Sequence, residues 1–150
     1  MREDFVAARI EACASIPVME LPPKSGRVQS YRDLRVWQRA VHLVDEVYEI
    51  ARTLPSIETY GLAQQLRRAA VSVAANIAEG HARSSPGEFA NQLSVARGSA
   101  AEVDVLLYVV ERRSYAKPAA LLDARDDCDA IMRMITLIKR KLALKRAREK

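Results

Sequence analysis

The sequence predicts an all-α protein, an antiparallel up-down-up-down four-helix bundle, and three observations support this prediction. Apolar residues recur at spacings of three and four along four separate stretches of the chain. The connections between these stretches are short, so neighbouring helices should run antiparallel. Only 5 of the 150 residues are glycine and 5% are aromatic, a composition that favours helix over sheet.

The chain divides into three parts by composition. Residues 1–30 are interrupted by Pro17, Pro22 and Pro23, which predicts a flexible leader with at most a short helix around Glu3–Ala14. Residues 31–144 form the predicted bundle, and residues 145–150 form a basic tail.

The first two predicted helices span about 33–53 and 58–79. Asp33 suits the N-cap of the first, and Pro55 forces its end, because the residue before a proline avoids helical angles. Gly80 stands where a left-handed C-terminal cap of the second helix belongs.

The third and fourth predicted helices span about 86–113 and 118–144. The third begins with the clearest local signal in the chain, in which Ser85 suits the N-cap, Pro86 the first helical position and Glu88 the third. The fourth begins near Pro118 and carries acidic residues in its first half and basic residues at its end.

The net charge of +5 is unevenly distributed. Residues 133–150 contain eight basic residues and one acidic residue, a net charge of +7, whereas each earlier segment up to residue 113 is balanced. A basic helix end of this kind is typical of a surface that binds a polyanion, and it is equally consistent with a solvated tail that aids solubility.

The segment SVAANIAEG, followed by His81, raises the question of a catalytic site. Glu79 and His81 would act as acid–base groups and Asn76 as an oxyanion donor. On a helix, however, Asn76 and Glu79 share one stripe with Ser72, while His81 follows the predicted cap. The sequence therefore favours a hydrogen-bonded packing network over catalysis.

The segment ARGSAAE (96–102) has similar small residues on the third helix. Gly98 costs about 1 kcal/mol in a helix interior relative to alanine, so close packing or a functional constraint should explain it. Ser99 and Glu102 lie on the same helix, where they could meet the stripe on the second helix.

Cysteine usage and hydropathy predict a cytoplasmic protein. Cys13 and Cys128 do not form a CxxC motif, which gives no metal framework and indicates a reducing compartment. No apolar run approaches the roughly 20 residues that a membrane span requires. A lone His42 on the first helix also provides no Glu-x-x-His pair for a di-metal bundle.

Four segments of the chain resemble the 23S rRNA intervening-sequence family of four-helix-bundle proteins. They are YRDLRVWQRAVHLVDEVY (31–48), GLAQQLRRAAVSVAANIAEG (61–80), EFANQLSVARGSAAEVDVLLY (88–108) and MRMITLIKRKL (132–142). The similarity covers about residues 31–144. The motifs LxVW, RRAxxSxxxNIAEG and ARGSxxE together are far more specific than any one of them alone.

The resemblance implies a bundle that assembles into a ring-like homo-oligomer, with a pentamer expected, and no established enzymatic activity. A more distant similarity extends to the accessory variability protein of diversity-generating retroelements, a basic pentamer that binds nucleic acid and partners a reverse transcriptase. The family's signature residues, carried over by position, are Trp37, Arg67, Arg68, Asn76, Glu79, Gly80, Arg97, Gly98, Ser99 and Glu102.

We therefore predict a non-catalytic homo-oligomer that binds nucleic acid, with structured RNA as the expected ligand and no cofactor or metal. Without an RNP motif, a zinc finger or an aromatic stacking platform, its contacts should be to phosphates and overall shape. The predicted contact residues are Arg133, Lys139, Arg140, Lys141, Lys145, Arg146 and Arg148.

Two alternatives stay open at this point. Arg67, Arg68 and Arg97 either join the nucleic-acid surface or pair within the chain with Glu79 and Glu102. The alternative function is a protein-interaction scaffold, or an accessory subunit, that docks a partner enzyme such as a reverse transcriptase.

Overall fold

The computed structural model describes residues 28–148, which contain four α-helices and no strand. The helices are α1 (Arg35–Thr53), α2 (Leu62–Ala82), α3 (Pro86–Arg112) and α4 (Leu122–Arg148). The all-α prediction is confirmed for this part of the chain. The predicted leader helix around Glu3–Ala14 and the last two residues of the basic tail lie outside the described residues.

The four helices form a bundle around one apolar core. Helix α1 packs against α2 and α4, and α3 packs against the same two helices. Each helix contributes a fully buried side chain to the centre, namely Leu43, Leu66, Leu107 and Ile131. Burial of one such side chain contributes about 1.5–3 kcal/mol, so the shared core holds the four helices together.

The contacts between α2 and α3 show the relative direction of these two helices. The hydroxyls of Ser72 and Ser99 lie 2.9 Å apart, and Gln92 Nε2 donates to Glu79 Oε1 at 3.2 Å. Glu79, which follows Ser72 on α2, thus contacts Gln92, which precedes Ser99 on α3. These two helices run antiparallel, and the short connection between them requires this direction.

Helix α1 begins two residues later than predicted, because Asp33 does not cap it. Asp33 Oδ2 instead accepts the backbone N–H of Ser30 at 2.9 Å and completes the capping box of a short 3-10 turn. Leu34, which has no side-chain cap, precedes the helix. The helix ends at Thr53 as predicted, where extended Leu54 leads into Pro55.

Helix α2 begins four residues later than predicted, after a 3-10 turn at Ser56–Glu58. Glu58 Oε2 accepts the backbone N–H of Leu62 at 3.1 Å, which satisfies one of the unpaired donors at the helix start. The hydroxyl of Tyr115 donates to Glu58 Oε1 at 3.1 Å. Glu58 therefore joins the α1–α2 connection to the α3–α4 connection at one end of the bundle.

The prediction that Gly80 caps α2 is wrong. The helix continues to Ala82, Gly80 is buried within it, and no glycine among the described residues has a positive φ. A Cβ at Gly80 would lie 2.8 Å from Gln92 Cβ and 2.9 Å from Phe89 Cδ2. Gly80 is thus a contact residue where α3 comes too close for any side chain, and His81 also lies on the helix.

The starts of α3 and α4 follow the predicted signals in part. Ser85 Oγ accepts the backbone N–H groups of Gly87 at 3.2 Å and Glu88 at 3.4 Å, and Pro86 is the first helical residue. Among the described residues the Glu88 side chain forms no return bond. Helical structure begins at Pro118 as a 3-10 turn, and α4 then extends four residues beyond its predicted end.

We expect Gly80→Ala to destabilise the fold, although alanine is the better helix former. The added methyl would overlap Gln92 and Phe89, and overpacking of this kind costs about 1–3 kcal/mol. Gly87→Ala is the matched control, because its methyl would meet Arg146 at an ordinary 3.5 Å. Urea unfolding should show a lower midpoint for Gly80→Ala only; equal midpoints for both variants would contradict the close approach.

Candidate functional site

The basic end of the bundle is the last part of α4. Ile135 is the last fully buried residue of this helix, and only Ile138 and Leu142 beyond it still pack on the core. Residues 133–148 contain seven basic residues and no acidic residue, so the charge is +7. Helix α4 therefore extends beyond the core, and this part of the helix is largely exposed and positively charged. We call this segment, residues 133–148, the basic end.

Two cations of the basic end lie against α3. The amine of Lys139 donates to the hydroxyl of Ser94, and the Arg146 guanidinium lies beside Gly87 at the start of α3. Neither contact involves a carboxylate, so the positive charges are positioned without being neutralised. Arg140, Lys141 and Arg148 are exposed and form no ion pair with a described residue. The geometry leaves these three cations available to an anion.

Arg67, Arg68 and Arg97 do not form the internal ion pairs that the sequence left open. Arg67 Nη2 donates to the backbone carbonyl of Thr59 at 3.3 Å. Arg68 and Arg97 have no ion-pair partner among residues 28–148. Arg68 instead lines two neighbouring shallow depressions, one of which it shares with Glu102. These arginines are on α2 and α3, away from the basic end in sequence.

Three of the residues expected in the packing network are joined by hydrogen bonds at the α2–α3 contact. Asn76 Nδ2 donates to the backbone carbonyl of Ser72 at 2.7 Å and to Ser72 Oγ at 3.0 Å. Ser72 Oγ in turn bonds Ser99 Oγ across the helices at 2.9 Å. The three side chains are partly buried, which makes each bond harder to replace with water.

The structure separates the three residues of the catalytic hypothesis. Asn76 bonds within the network just described, whereas Glu79 Oε1 accepts from Arg83 at 2.6 Å and from Gln92. The ring of His81 packs edge-on against Phe89, with 6.1 Å between ring centres. No hydrogen bond joins any two of the three candidates in the described part of the chain.

Two other signature residues have distinct environments. Trp37 is partly buried against the core, and its ring meets Tyr31 edge-on with 5.0 Å between centres. Gly98 is exposed, and a Cβ there would meet nothing within 4 Å. Close packing within one chain therefore does not explain Gly98. Glu102 is also exposed and has no ion-pair partner among the described residues.

An ionic cluster around the buried Asp127, between α1 and α4, is the main feature that the sequence analysis missed. Asp127 is 2% exposed, and its two oxygens accept from Arg39 Nε and from His42 Nδ1, each at 2.6 Å. Glu46 Oε1 lies 3.8 Å from His42 Nε2. The signal was present as a polar residue on the apolar stripe of α4, between Ala124 and Ile131.

The Asp127 hydrogen bond raises the pKa of His42, against the opposing effect of its partial burial. A buried carboxylate requires compensation, and two half-exposed cations supply it here. Protonated His42 therefore adds a second positive charge beside Asp127 and holds α1 against α4.

Cys128 is fully buried in the core of the bundle. Burial raises the pKa of the Cys128 thiol to about 12, so the nucleophilic thiolate is not formed near neutral pH. Within residues 28–148, no group of three or more His, Cys, Asp or Glu side chains is arranged to hold a metal ion. None of the described helices is long and apolar enough to cross a membrane.

Comparison with known proteins connects this bundle to one family. The family model described as 23S rRNA-intervening sequence protein matches residues 32–137, most of the chain. The chain belongs to this family. The match includes α1, α2, α3 and the first half of α4, so only the first third of the basic end falls within the shared region.

A solved structure of the same kind supports the fold. It is a protein of unknown function from the S23 ribosomal protein family of Bacteroides thetaiotaomicron, with 21% identity and a TM-score of 0.65. The similarity covers 69% of this chain and 97% of that one. At this identity the likeness shows a shared fold. A search of curated proteins found no match.

The Asn76 network predicts a specific loss of stability. Asn76→Ala should lower the free energy of unfolding by about 1 kcal/mol, because two hydrogen bonds at the helix contact are lost. Asn91→Ala is the matched control, since it is an exposed asparagine on the adjacent helix. Denaturant unfolding of both variants measures the difference. A stable Asn76→Ala variant that fails only to bind nucleic acid would contradict the packing role.

The His42 pair predicts a pH-dependent stability. Because the folded-state pKa of His42 is raised above its ordinary 6.5, protonated His42 stabilises the fold fully below pH 6.5. This contribution is lost as pH rises through the raised value. We expect unfolding midpoints of the unmodified protein to fall from pH 6.5 upward, and His42→Gln to abolish that fall. His81→Gln should retain the pH dependence. Loss of the pH dependence in this variant would contradict its assignment to His42.

Proposed function

We propose that this protein is a non-catalytic, nucleic-acid-binding homo-oligomer that binds the phosphates of structured RNA through its basic end. One observation carries the proposal: seven basic residues and no acidic residue occupy one exposed helix end. Phosphate contacts by lysine and arginine supply most non-specific binding to nucleic acid. RNA helices are bound mainly through shape and phosphates, which a rigid cationic helix can follow.

The rest of the molecule supports binding better than catalysis. Asn76 and Glu79 are engaged in separate structural contacts, and the buried thiol of Cys128 is protonated. The family description refers to a 23S rRNA intervening sequence, which agrees with RNA as the ligand class. We further propose a cytoplasmic location, where RNA of this kind occurs.

We infer that the bundle has up-down-up-down topology and forms a ring, with a pentamer as the expected size. The three short connections support the topology, since each one joins neighbouring helices. A ring would place several copies of the basic end on one assembly. Binding strength would then rise through avidity, without any new type of contact.

A salt titration tests the proposed binding surface. For a structured RNA hairpin, we expect Arg140→Gln with Lys141→Gln to make the slope of log affinity against log salt less negative by about 2, taking the roughly 0.9 per phosphate contact of duplex DNA. Arg112→Gln with Lys117→Gln is the matched control, because it removes the same charge from exposed sites outside the basic end.

Fluorescence anisotropy with a labelled hairpin measures both slopes. Equal losses in the two double variants would show that only net charge matters, and binding insensitive to salt would overturn the proposal. If the protein retains no RNA after nuclease treatment but co-purifies with a partner enzyme such as a reverse transcriptase, the scaffold function would replace it.

A further inference from the structure

Helix α3 has an exposed seam that the bundle core does not use. Val95, Gly98, Glu102, Val105 and Val109 follow one another at spacings of three and four, so they share one face of the helix. The three valines are 52%, 59% and 37% exposed in order along the chain. An exposed apolar stripe of this regularity is typical of a helix that packs against another helix. We call it the α3 seam.

Helix α2 has a second exposed seam next to the first. Gln64, Arg68, Val71 and Ala75 recur at spacings of four, three and four, and all four are exposed. We call them the α2 seam. Ser72 of α2 bonds Ser99 of α3 beneath these two seams, so they belong to adjacent helices of one rigid contact. Each seam combines small or branched apolar side chains with one central charge.

Gly98 indicates that the α3 seam approaches another backbone. An exposed glycine in a helix interior costs about 1 kcal/mol relative to alanine, and nothing in the chain lies within 4 Å of the missing Cβ. The buried Gly80 shows the opposite case, in which α3 of the same chain occupies the space. At Gly98 the approaching surface must come from outside the chain if packing explains the residue.

The charges of the two seams are complementary and unpaired. Glu102 at the centre of the α3 seam and Arg68 on the α2 seam form no ion pair with any described residue. They line the same depression, yet no oxygen of Glu102 comes within ion-pair distance of Arg68. A second copy of the chain can supply each group with the partner that it lacks.

We propose that the α3 seam of one copy packs against the α2 seam of the next, with Glu102 paired to Arg68 of the neighbouring copy. The valines of the α3 seam then cover Val71 and Ala75, and Gly98 permits close approach of the two helices. This inference rests on the self-association proposed above and specifies the surface that carries it.

The proposed contact joins the α3 seam of one copy to the α2 seam of the next, so it is head-to-tail. Such a head-to-tail contact uses two different surfaces and forms a ring when its rotation closes. A contact between the α3 seams of two copies would instead place Glu102 near a second Glu102, and like-charge repulsion disfavours this arrangement.

Charge reversal tests the pairing between copies. We expect Arg68→Glu and Glu102→Arg each to weaken assembly by roughly tenfold or more in sedimentation velocity, because each places like charges at every contact. An equal mixture of the two variants should recover much of the assembly, since every mixed contact joins opposite charges and a five-membered ring retains one like-charge contact. The double variant should assemble alone. If the pair instead formed within one chain, only the double variant would recover, and that result would overturn the proposal.

Val105→Asp tests the apolar part of the contact. It should give a folded protein, by circular dichroism and thermal unfolding, that sediments as a smaller species. Ile57→Asp is the matched control, because Ile57 is 84% exposed in the α1–α2 connection, outside both seams. Assembly that is equally lost, or equally retained, in both variants would overturn the assignment of the seams.

The same measurements separate this inference from the proposed function. A wild-type protein that sediments as a monomer would overturn both the homo-oligomer and the seams. A wild-type oligomer that all four seam variants leave intact would overturn the seams alone. The salt slope for hairpin binding, measured on Val105→Asp, tests the basic end separately, and we expect its binding to persist with lower affinity.

Discussion

The close contact between α2 and α3 is the constraint on which the rest of the bundle depends. Gly80 allows Phe89 and Gln92 to approach the α2 backbone, and the Ser72–Ser99 hydrogen bond joins the two helices further along. With the turn between them fixed by the Ser85 cap, α2 and α3 form a rigid pair. Helices α1 and α4 pack on this pair, and their own mutual contact includes the buried Asp127 with its two cations.

The two ends of α4 have different roles because their surroundings differ. In its first half Asp127 is buried and compensated by Arg39 and His42, so the charge there is part of the fold. In its second half the helix extends beyond the core, and its basic residues are exposed except for Lys139, which is partly buried. A cation that already compensates a buried carboxylate has little left for a ligand, whereas an unpaired one can release counterions on binding a phosphate. This difference is the basis of the proposal that the basic end binds phosphates.

Particular residues show what could be read from the sequence and what could not. The Ser85–Pro86 start of α3 and the stop before Pro55 were predictable, since both depend on local backbone chemistry. The sequence predicts Gly80 as the C-terminal cap of α2, because a glycine required for helix contact has the same local signature as one required for a turn. The Asp127 cluster was not found, because its members are 85 and 88 residues apart in sequence.

The sequence by itself determined the four helices, the core stripe on each, the family and the concentration of positive charge at one end, because periodicity and composition are local properties. Only the tertiary structure decided which polar groups meet. It paired Asn76 with Ser72, placed His81 on Phe89 and left Arg68, Arg97 and Glu102 without ion-pair partners in the described chain. Side-chain partners depend on the distance and orientation between helices, which the spacing of residues within one helix does not specify.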